Sequence, residues 1–380
     1  MTSKTQWVNE IYEKMEQKLY AECARMGEKI PYWTVDGVYE EDYAKKDIYW
    51  WTNGFWSGIL WQLYHATKKE LYLETARKNE ALLDQALYGF IGLHHDTGFM
   101  WLHSAVADYR LTGSEEARVR GLNAASVLAG RYNPNGKFIR AWNPECVEEG
   151  EDCTGWIIVD SMMNIPLLYW AGQITGDPRF QQIAVNHADT VASYLVREDG
   201  SCGHIACINP DTGELEHILG GQGYSETSSW SRGQSWILYG FALSYRHTKN
   251  KKYLDIAKKT AHYFISNIAL TGYIPLCDFR QPASAAYTDT SAGLCAACGL
   301  LEIAEHVDEC EKNLYRTYAE LILKHTAETC CDWNPDTDGI VQNCKVAFHN
   351  DRREQTDLIY ADYFLTEAVL RLLGKDFLIW

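Results

Sequence analysis

The sequence predicts an all-α fold, an (α/α)6 barrel of six inner and six outer helices, formed as one domain over residues 1–380. Three observations favour this fold. A Thr-x4-(Tyr/Phe)-x3-Ala pattern recurs along the chain, an apolar segment precedes each copy, and an amphipathic segment follows it. The copies begin at Thr67, Thr175 and Thr248, with a fainter one at Thr112. Such repeats indicate one supersecondary unit that is stacked several times.

The segments before the threonines are apolar around the whole helical circumference, as in 55–64, 162–170 and 236–245. A helix of this kind is buried on all sides and is predicted to line the inside of the barrel. The predicted inner helices span about 53–66, 97–111, 160–174, 227–246, 290–306 and 357–373.

The segments after the threonines place apolar residues at i, i+3, i+4 and i+7, which leaves one polar face for solvent. The predicted outer helices span about 4–25, 70–88, 114–130, 178–196, 251–268 and 311–331. An open stack would need polar capping repeats, so six pairs favour a closed barrel. Alternation typical of strands is rare, and short strand pairs are predicted at 270–276 and 340–348.

Composition excludes several classes of function. The chain has 35 Lys+Arg against 51 Asp+Glu, a net charge of −16, which disfavours nucleic acid and anionic membrane surfaces as partners. No apolar run reaches the 18 residues typical of a membrane span, and the first residues do not read as a secretory signal. We therefore expect a cytoplasmic protein whose twelve cysteines are mostly reduced.

Polar residues, glycines and tryptophans concentrate where successive inner helices begin, and these beginnings meet at one end of a barrel. The chain has 14 Trp and 24 Tyr, and aromatic rings form stacking platforms for sugars. An aromatic-walled cleft that also holds a few carboxylates predicts a carbohydrate enzyme.

Asp96 and Asp160, each at the start of a predicted inner helix, are the candidate acid/base pair. A neighbouring like charge raises the pKa of one carboxyl group, so that this group stays protonated near neutral pH. The alternative is that both side chains cap helix N-termini, where aspartate is favoured. A cap is the favoured interpretation for Asp289.

Arg232 lies among tryptophans at a predicted helix start. It can clamp a substrate carboxylate with two hydrogen bonds, or it can form an internal ion pair, and the sequence leaves both alternatives open. His204 lies on the loop before this helix, where a lone histidine is more often structural than catalytic. His94, His95, Asp96 and His103 lack the usual zinc spacing, so no metal or other cofactor is predicted.

Four strings occur in order along the chain: Trp51-Thr-Asn-Gly-Phe55-Trp56, the segment 95–100, the segment 160–164, and the segment 222–236 with its Ser-Arg-Gly-Gln-Ser-Trp run. Together they resemble glycoside hydrolase family 88, the unsaturated glucuronyl hydrolases, and the resemblance continues through 358–364. The related family 105, the unsaturated rhamnogalacturonyl hydrolases, shares the barrel and two aspartates. The Ser-Arg-Gly-Gln-Ser-Trp run favours family 88.

The resemblance implies a metal-free (α/α)6 barrel that acts on small lyase products carrying a 4,5-unsaturated uronate at the non-reducing end. By match to the family, Asp160 protonates C4 and activates water for attack at C5, while Asp96 tunes the charge and holds ring hydroxyls. The resemblance also implies substrate contacts from ten residues. They are Trp51, Phe55, His95, Phe99, Trp142, His204, Gln222, Trp230, Arg232 and Trp236.

Two departures concern sulfated substrates. Family members that prefer them carry a Ser-x-x-Ser-x-Gly-Lys string near the last barrel loop, which this chain lacks, and an arginine where this chain has Gly221. Arg352 and Arg353 can contact a sulfate or can pair with Asp351 and Glu354, and the sequence leaves both alternatives open. Three alternatives stay open beside the glucuronyl hydrolase: a rhamnogalacturonyl hydrolase, an (α/α)6 sugar epimerase and a non-catalytic sugar-binding barrel. The paired aspartates disfavour the epimerase, which typically uses paired histidines.

Overall fold

The computed structural model describes residues 6–350 and 356–380. Its α-helices, in chain order, are α1 (Gln6–Met26), α2 (Tyr43–Lys46), α3 (Phe55–Thr67), α4 (Glu70–Gly89), α5 (Thr97–Trp101), α6 (Ala107–Thr112), α7 (Glu115–Ala129), α8 (Ser161–Asn164), α9 (Pro166–Thr175), α10 (Pro178–Tyr194), α11 (Ser231–Thr248), α12 (Lys251–Ile268), α13 (Thr290–Ala304), α14 (Glu309–Thr329) and α15 (Ile359–Leu373). A π-helical turn, Leu102–Val106, joins α5 to α6. Within the described residues, no helix combines the length and apolarity needed to cross a membrane.

The helices form a closed (α/α)6 barrel, which confirms the predicted fold class. The inner ring consists of α3, the α5–α6 segment, α8 with α9, α11, α13 and α15. The ring closes because α15 packs against both α13 and α3. The outer helices α4, α10, α12 and α14 each pack against the inner helix that precedes them. All residues of α13 are buried, whereas α12 buries only one face, as the two apolar patterns predict.

The repeated threonine ends an inner helix and begins the turn to its outer helix. The hydroxyl groups of Thr67, Thr175 and Thr248 each donate to the carbonyl oxygen four residues earlier at 2.7 Å. Each hydroxyl also accepts the backbone N–H two residues later at 3.1–3.3 Å. The residue between has a positive φ of 58–71°. The pattern therefore recurs because the same hydrogen-bonded turn is used at each connection.

The predicted strand pairs at 270–276 and 340–348 were wrong, since these segments contain only isolated bridges such as Leu276 with Thr288. The strands that form are the hairpin β1 (Tyr132–Asn133) and β2 (Phe138–Ile139), and the antiparallel sheet β3 (Trp156–Ile158), β4 (Ile205–Ile208) and β5 (Leu215–Leu219). All four residues of β4 are buried and β5 is mostly exposed. Neither strand therefore alternates apolar and polar residues, and periodicity misses both.

The contact between α11 and α8 requires glycine at position 240. A Cβ atom there would lie 2.5 Å from the Met162 Cβ and 2.8 Å from its backbone. We expect Gly240→Ala to lower the free energy of unfolding by about 1–3 kcal/mol through overpacking. Gly172→Ala in α9 is the control, because its Cβ would meet no atom closer than 3.5 Å. Urea unfolding of both variants measures the difference, and equal midpoints would contradict the close contact.

Candidate active site

A cavity of about 350 Å³ opens at the end of the barrel where the inner helices begin. Its walls come from the segments that precede α2, α3, α5, α8, α11 and α15, from the first two turns of α11, and from the loop between β2 and β3. The lining residues are Tyr32, Trp50, Trp51, His94, Asp96, Trp142, Cys146, Asp160, Gln222, Trp230, Arg232, Trp236 and Val346. The volume is within the range of small-molecule sites. The predicted clustering of helix beginnings is therefore present in the structure.

Both candidate catalytic aspartates border this cavity. Asp96 precedes α5 and Asp160 precedes α8, each at the N-cap position. Neither side chain caps its helix by a hydrogen bond. By contrast, the carboxylate of Asp289 accepts from the backbone N–H of Ser291 at the start of α13, as expected of a cap. The capping alternative therefore holds for Asp289 and does not account for the side chains of Asp96 and Asp160.

The imidazole of His95 lies between the two carboxyl groups. Its Nε2 atom is 3.5 Å from Asp96 Oδ2 and 3.7 Å from Asp160 Oδ1. The His94 Nδ1 atom is 3.2 Å from the same oxygen of Asp96. The side chain of Asp160 is 19% exposed and that of Asp96 is 5% exposed. The tertiary structure thus brings the pair together, with Asp160 as the member that faces the cavity more openly.

The two carboxyl groups differ in their pKa values. Burial, together with the nearby charge of Asp96, raises the pKa of Asp160 well above its ordinary value. Burial alone would also raise the pKa of Asp96, but His95, His94 and the side-chain amide of Asn164 lower it overall. Burial lowers the pKa of His95 to about 4, so its ring is neutral at neutral pH. The site therefore holds one protonated carboxyl group beside one carboxylate.

His94, His95 and Asp96 also offer one metal-ligand atom each within 4.8 Å of one another. They are the one group of three such side chains found in the part of the chain that the structure describes. His94 and His95 both lie beside the Asp96 carboxyl group and lower its pKa. The metal-free site stays a prediction.

The tryptophans of the predicted aromatic wall line the cavity, but the phenylalanines do not. Trp51, Trp142, Trp230 and Trp236 border the open space, whereas Phe55 and Phe99 are fully buried beneath them. The Phe99 ring lies 5.4 Å from that of Trp51 and 5.3 Å from that of Trp236. Phe55 and Phe99 are turned toward the core, so they support the wall and are not placed to contact a substrate.

Arg232 forms the internal ion pair and also borders the cavity. Its Nη1 atom lies 2.5 Å from Asp289 Oδ2. Its two Nη atoms donate to the carbonyl oxygens of Lys345 and Val346 at 2.9 and 2.6 Å. The guanidinium carbon is 4.5 Å from the Trp230 ring centre. Burial alone would lower the pKa of Arg232, but Asp289 raises it overall, so the guanidinium stays charged.

His95 and His204 do not line the cavity, although both are among the predicted contacts. The His204 ring packs 4.7 Å from Trp230, and its Nδ1 accepts the backbone N–H of Gln222 at 2.9 Å. Burial lowers the pKa of His204 to about 3. His204 is thus neutral and holds Gln222, which itself lines the cavity and donates through Nε2 to the carbonyl oxygen of Val346 at 2.8 Å.

Five cavity residues were not predicted: Tyr32, Trp50, His94, Cys146 and Val346. Trp50 and His94 adjoin predicted residues, and their position in the sequence could have identified them. The other three come from distant loops that carry no motif, so only the tertiary structure identifies them.

A larger depression of about 620 Å³ lies between Phe90 and Pro210, but no carboxylate lines it, and it offers no acid/base pair.

The chain matches the sequence profile of Glycosyl Hydrolase Family 88 over residues 24–271. An unsaturated glucuronyl hydrolase of Bacillus sp. (strain GL1) is 36% identical over 357 residues, which cover 92% of each chain. The crystal structure of an unsaturated glucuronyl hydrolase from Bacillus sp. GL1, responsible for the degradation of glycosaminoglycan, has a TM-score of 0.89 at 32% identity, covering 96% of both chains. A mutant of the Streptococcus agalactiae enzyme, complexed with dGlcA-GalNAc6S, has a TM-score of 0.83 at 29% identity, covering 98% of this chain and 93% of that one.

Proposed function

This chain belongs to glycoside hydrolase family 88, and from that premise we propose that it is an unsaturated glucuronyl hydrolase acting on lyase-generated glycosaminoglycan disaccharides and oligosaccharides. It removes the 4,5-unsaturated uronate from the non-reducing end. The observation that carries the proposal is the pair of aspartates with opposite pKa shifts at the base of an aromatic-walled cavity. The bound dGlcA-GalNAc6S of the Streptococcus agalactiae relative supports a sugar substrate of this class.

The chemistry requires a proton donor for carbon and a water molecule. Asp160, held protonated by burial and by the charge of Asp96, donates its proton to C4 of the vinyl ether. Positive charge then develops at C5, and the Asp160 carboxylate accepts a proton from the water that adds there. The resulting hemiketal opens between C5 and the ring oxygen. C1 is left as a hemiacetal that collapses to an aldehyde and releases the second sugar.

Asp96 supplies the negative charge that this division of roles requires. It stays ionised during the reaction, because the donors around it stabilise the carboxylate. In this position it raises the pKa of Asp160 and accepts hydrogen bonds from ring hydroxyl groups. The Arg232 guanidinium borders the same cavity and provides positive charge toward the uronate carboxylate, while Trp51, Trp142, Trp230 and Trp236 provide apolar faces for the sugar ring.

We expect this chain to turn over unsulfated substrates faster than sulfated ones. Gly221 has a φ of +53°, and a Cβ atom there would lie 2.0 Å from His204 Nδ1. The arginine that sulfate-preferring members carry at this position therefore has no room in this backbone conformation. Arg352 and Arg353 lie outside the described residues.

The finer expectations, a cytoplasmic location and a single domain over 1–380, stay predictions.

Ultraviolet absorbance tests the function directly, since hydration destroys the conjugated double bond. Purified protein is mixed with unsaturated disaccharides made from unsulfated and sulfated chondroitin, hyaluronan, heparin and rhamnogalacturonan. We expect absorbance to fall with the glycosaminoglycan products and fastest with the unsulfated ones. A fall only with the rhamnogalacturonan product would assign the chain to pectin fragments. No fall with any of them, or formation of an epimer, would contradict the proposal.

The opposite pKa shifts predict the pH dependence of kcat/KM. Activity requires Asp96 ionised and Asp160 protonated, so the rate falls below the pKa of Asp96 and above the pKa of Asp160. We expect the acidic limb below the ordinary pKa of an aspartate and the alkaline limb well above it. Initial rates from pH 3 to 10 measure both limbs, with enzyme returned to neutral pH as the stability control. Activity that declines steadily as pH rises through the ordinary aspartate range would contradict these assignments.

A further inference from the structure

The side chain of Asn164 has its orientation determined by a backbone group. Asn164 is the last residue of α8 and is fully buried. Its Oδ1 atom accepts the N–H of Phe99 at 2.7 Å. Because a backbone N–H can only donate, the amide oxygen must lie on that side and the NH2 group on the other. The NH2 group therefore faces Asp96 and donates to its Oδ1 atom at 2.9 Å.

The same NH2 group also reaches the second aspartate. It lies 3.3 Å from the backbone carbonyl oxygen of Asp160, so one amide links the segments that carry the two carboxyl groups. Gly98 permits this close approach. A Cβ atom at Gly98 would lie 2.4 Å from the Asn164 Cα and 2.7 Å from its Oδ1.

We propose that Asn164 is a positioning residue that keeps Asp96 ionised and thereby keeps the catalytic proton on Asp160. This inference rests on the proposed function. An NH2 group can only donate, so its hydrogen bond favours the charged form of the carboxyl group that it contacts. An amide does not titrate, so this donor acts across the whole working range of pH.

Other groups surround the pair, and each must be weighed against Asn164. The groups that interact electrostatically with Asp96 or Asp160 are His94, His95, Arg131, Cys146 and Arg232. The Arg131 guanidinium is held by Asn143 and by carbonyl oxygens, among them that of Trp142. Arg232 pairs with Asp289. Asn164 thus contributes the direct donor to Asp96 that is independent of pH.

The test is the acidic limb of kcat/KM in N164L. Leucine has a similar volume and no donor, so Asp96 loses its hydrogen bond and its pKa rises. We expect the acidic limb to move to higher pH by about one unit, the shift that corresponds to the loss of one hydrogen bond to a charged group. Rates are measured by loss of absorbance with the disaccharide that wild-type enzyme turns over fastest.

Asn79→Leu is the matched control. Asn79 is equally buried, and its amide donates to the carbonyl oxygen of Glu28 at 3.0 Å in the outer layer, away from the cavity. We expect N79L to lose thermal stability, as N164L does, without any movement of the acidic limb. If N164L does not fold, N164A is measured in the same way, and the pH of its acidic limb of kcat/KM tests the inference.

An upward shift of at least about half a pH unit in N164L, absent from N79L, supports the inference. A smaller or downward shift in active N164L contradicts it, whatever the loss of stability or of kcat. Wild-type enzyme that changes the absorbance of no substrate contradicts the proposed function instead, before any variant is compared. The two failures are therefore distinguishable.

Discussion

Replacing Asp160 with asparagine is expected to lower kcat by about 10³-fold or more while substrate still binds. Asparagine keeps the size and polarity of the side chain, but its amide is too weak an acid to protonate C4. The remaining groups of the cavity, including Trp230, Trp236 and Arg232, are unchanged, so binding is largely retained. The loss should therefore be in kcat rather than in affinity.

Two measurements separate these effects. Absorbance loss gives kcat, and quenching of tryptophan fluorescence on titration with disaccharide gives Kd. Asp177→Asn is the control, because Asp177 caps the exposed start of α10 and asparagine caps equally well. Turnover by D160N within about tenfold of wild type would remove Asp160 as the proton donor.

Replacing Arg232 with methionine is expected to lower the free energy of unfolding by about 3–5 kcal/mol and to abolish activity. The substitution leaves the buried carboxylate of Asp289 without its partner, at a site where neither side chain is more than 1% exposed. It also removes the hydrogen bonds to the carbonyl oxygens of Lys345 and Val346, which hold the loop beside Gln222. Stability and the cavity wall therefore depend on the same guanidinium group.

Urea unfolding, followed by circular dichroism, measures the stability loss. Removing both charges in R232M/D289L should recover part of it, because no buried charge is then left unpaired. Activity should not recover, since the loop contacts stay absent. Arg179→Met is the control: its ion pair with Asp177 is exposed, and little change is expected. Equal unfolding midpoints for R232M and R179M would contradict a structural role for the buried pair.

The sequence predicts the barrel well because helical periodicity is a local property. Inner helices such as α13 and outer helices such as α12 lie within a few residues of their predicted positions. The strands were not predicted, because the apolar pattern of a strand depends on which of its faces other parts of the protein bury. β4 is buried on both faces, and its partner β5 is the mostly exposed edge strand of the same sheet. A segment of four or five residues does not show by itself whether the strand is buried on both faces or exposed.

The features of the site also fall into those that the sequence predicted and those that it did not. Sequence motifs identified Asp96, Asp160 and four of the five tryptophans that line the cavity, all except Trp50. They did not distinguish these residues from Phe55 and Phe99, because residues of one motif can face opposite sides, some toward the cavity and others toward the core. The sequence favoured a helix cap for Asp289, which the structure confirms, but it left capping open for Asp96 and Asp160, because these residues also stand at helix starts.

By itself, the sequence determined the helical repeat, the family and the residue types at the barrel entrance, since each of these depends on residues that lie close together in the chain. The family resemblance already assigned the proton to Asp160, and only the tertiary structure shows why this carboxyl group holds it. That choice depends on burial, on the His95 ring between the two aspartates and on the amide of Asn164, 68 residues from Asp96. Electrostatic interactions depend on distance in space and on exclusion of water, and residues far apart in the chain establish both.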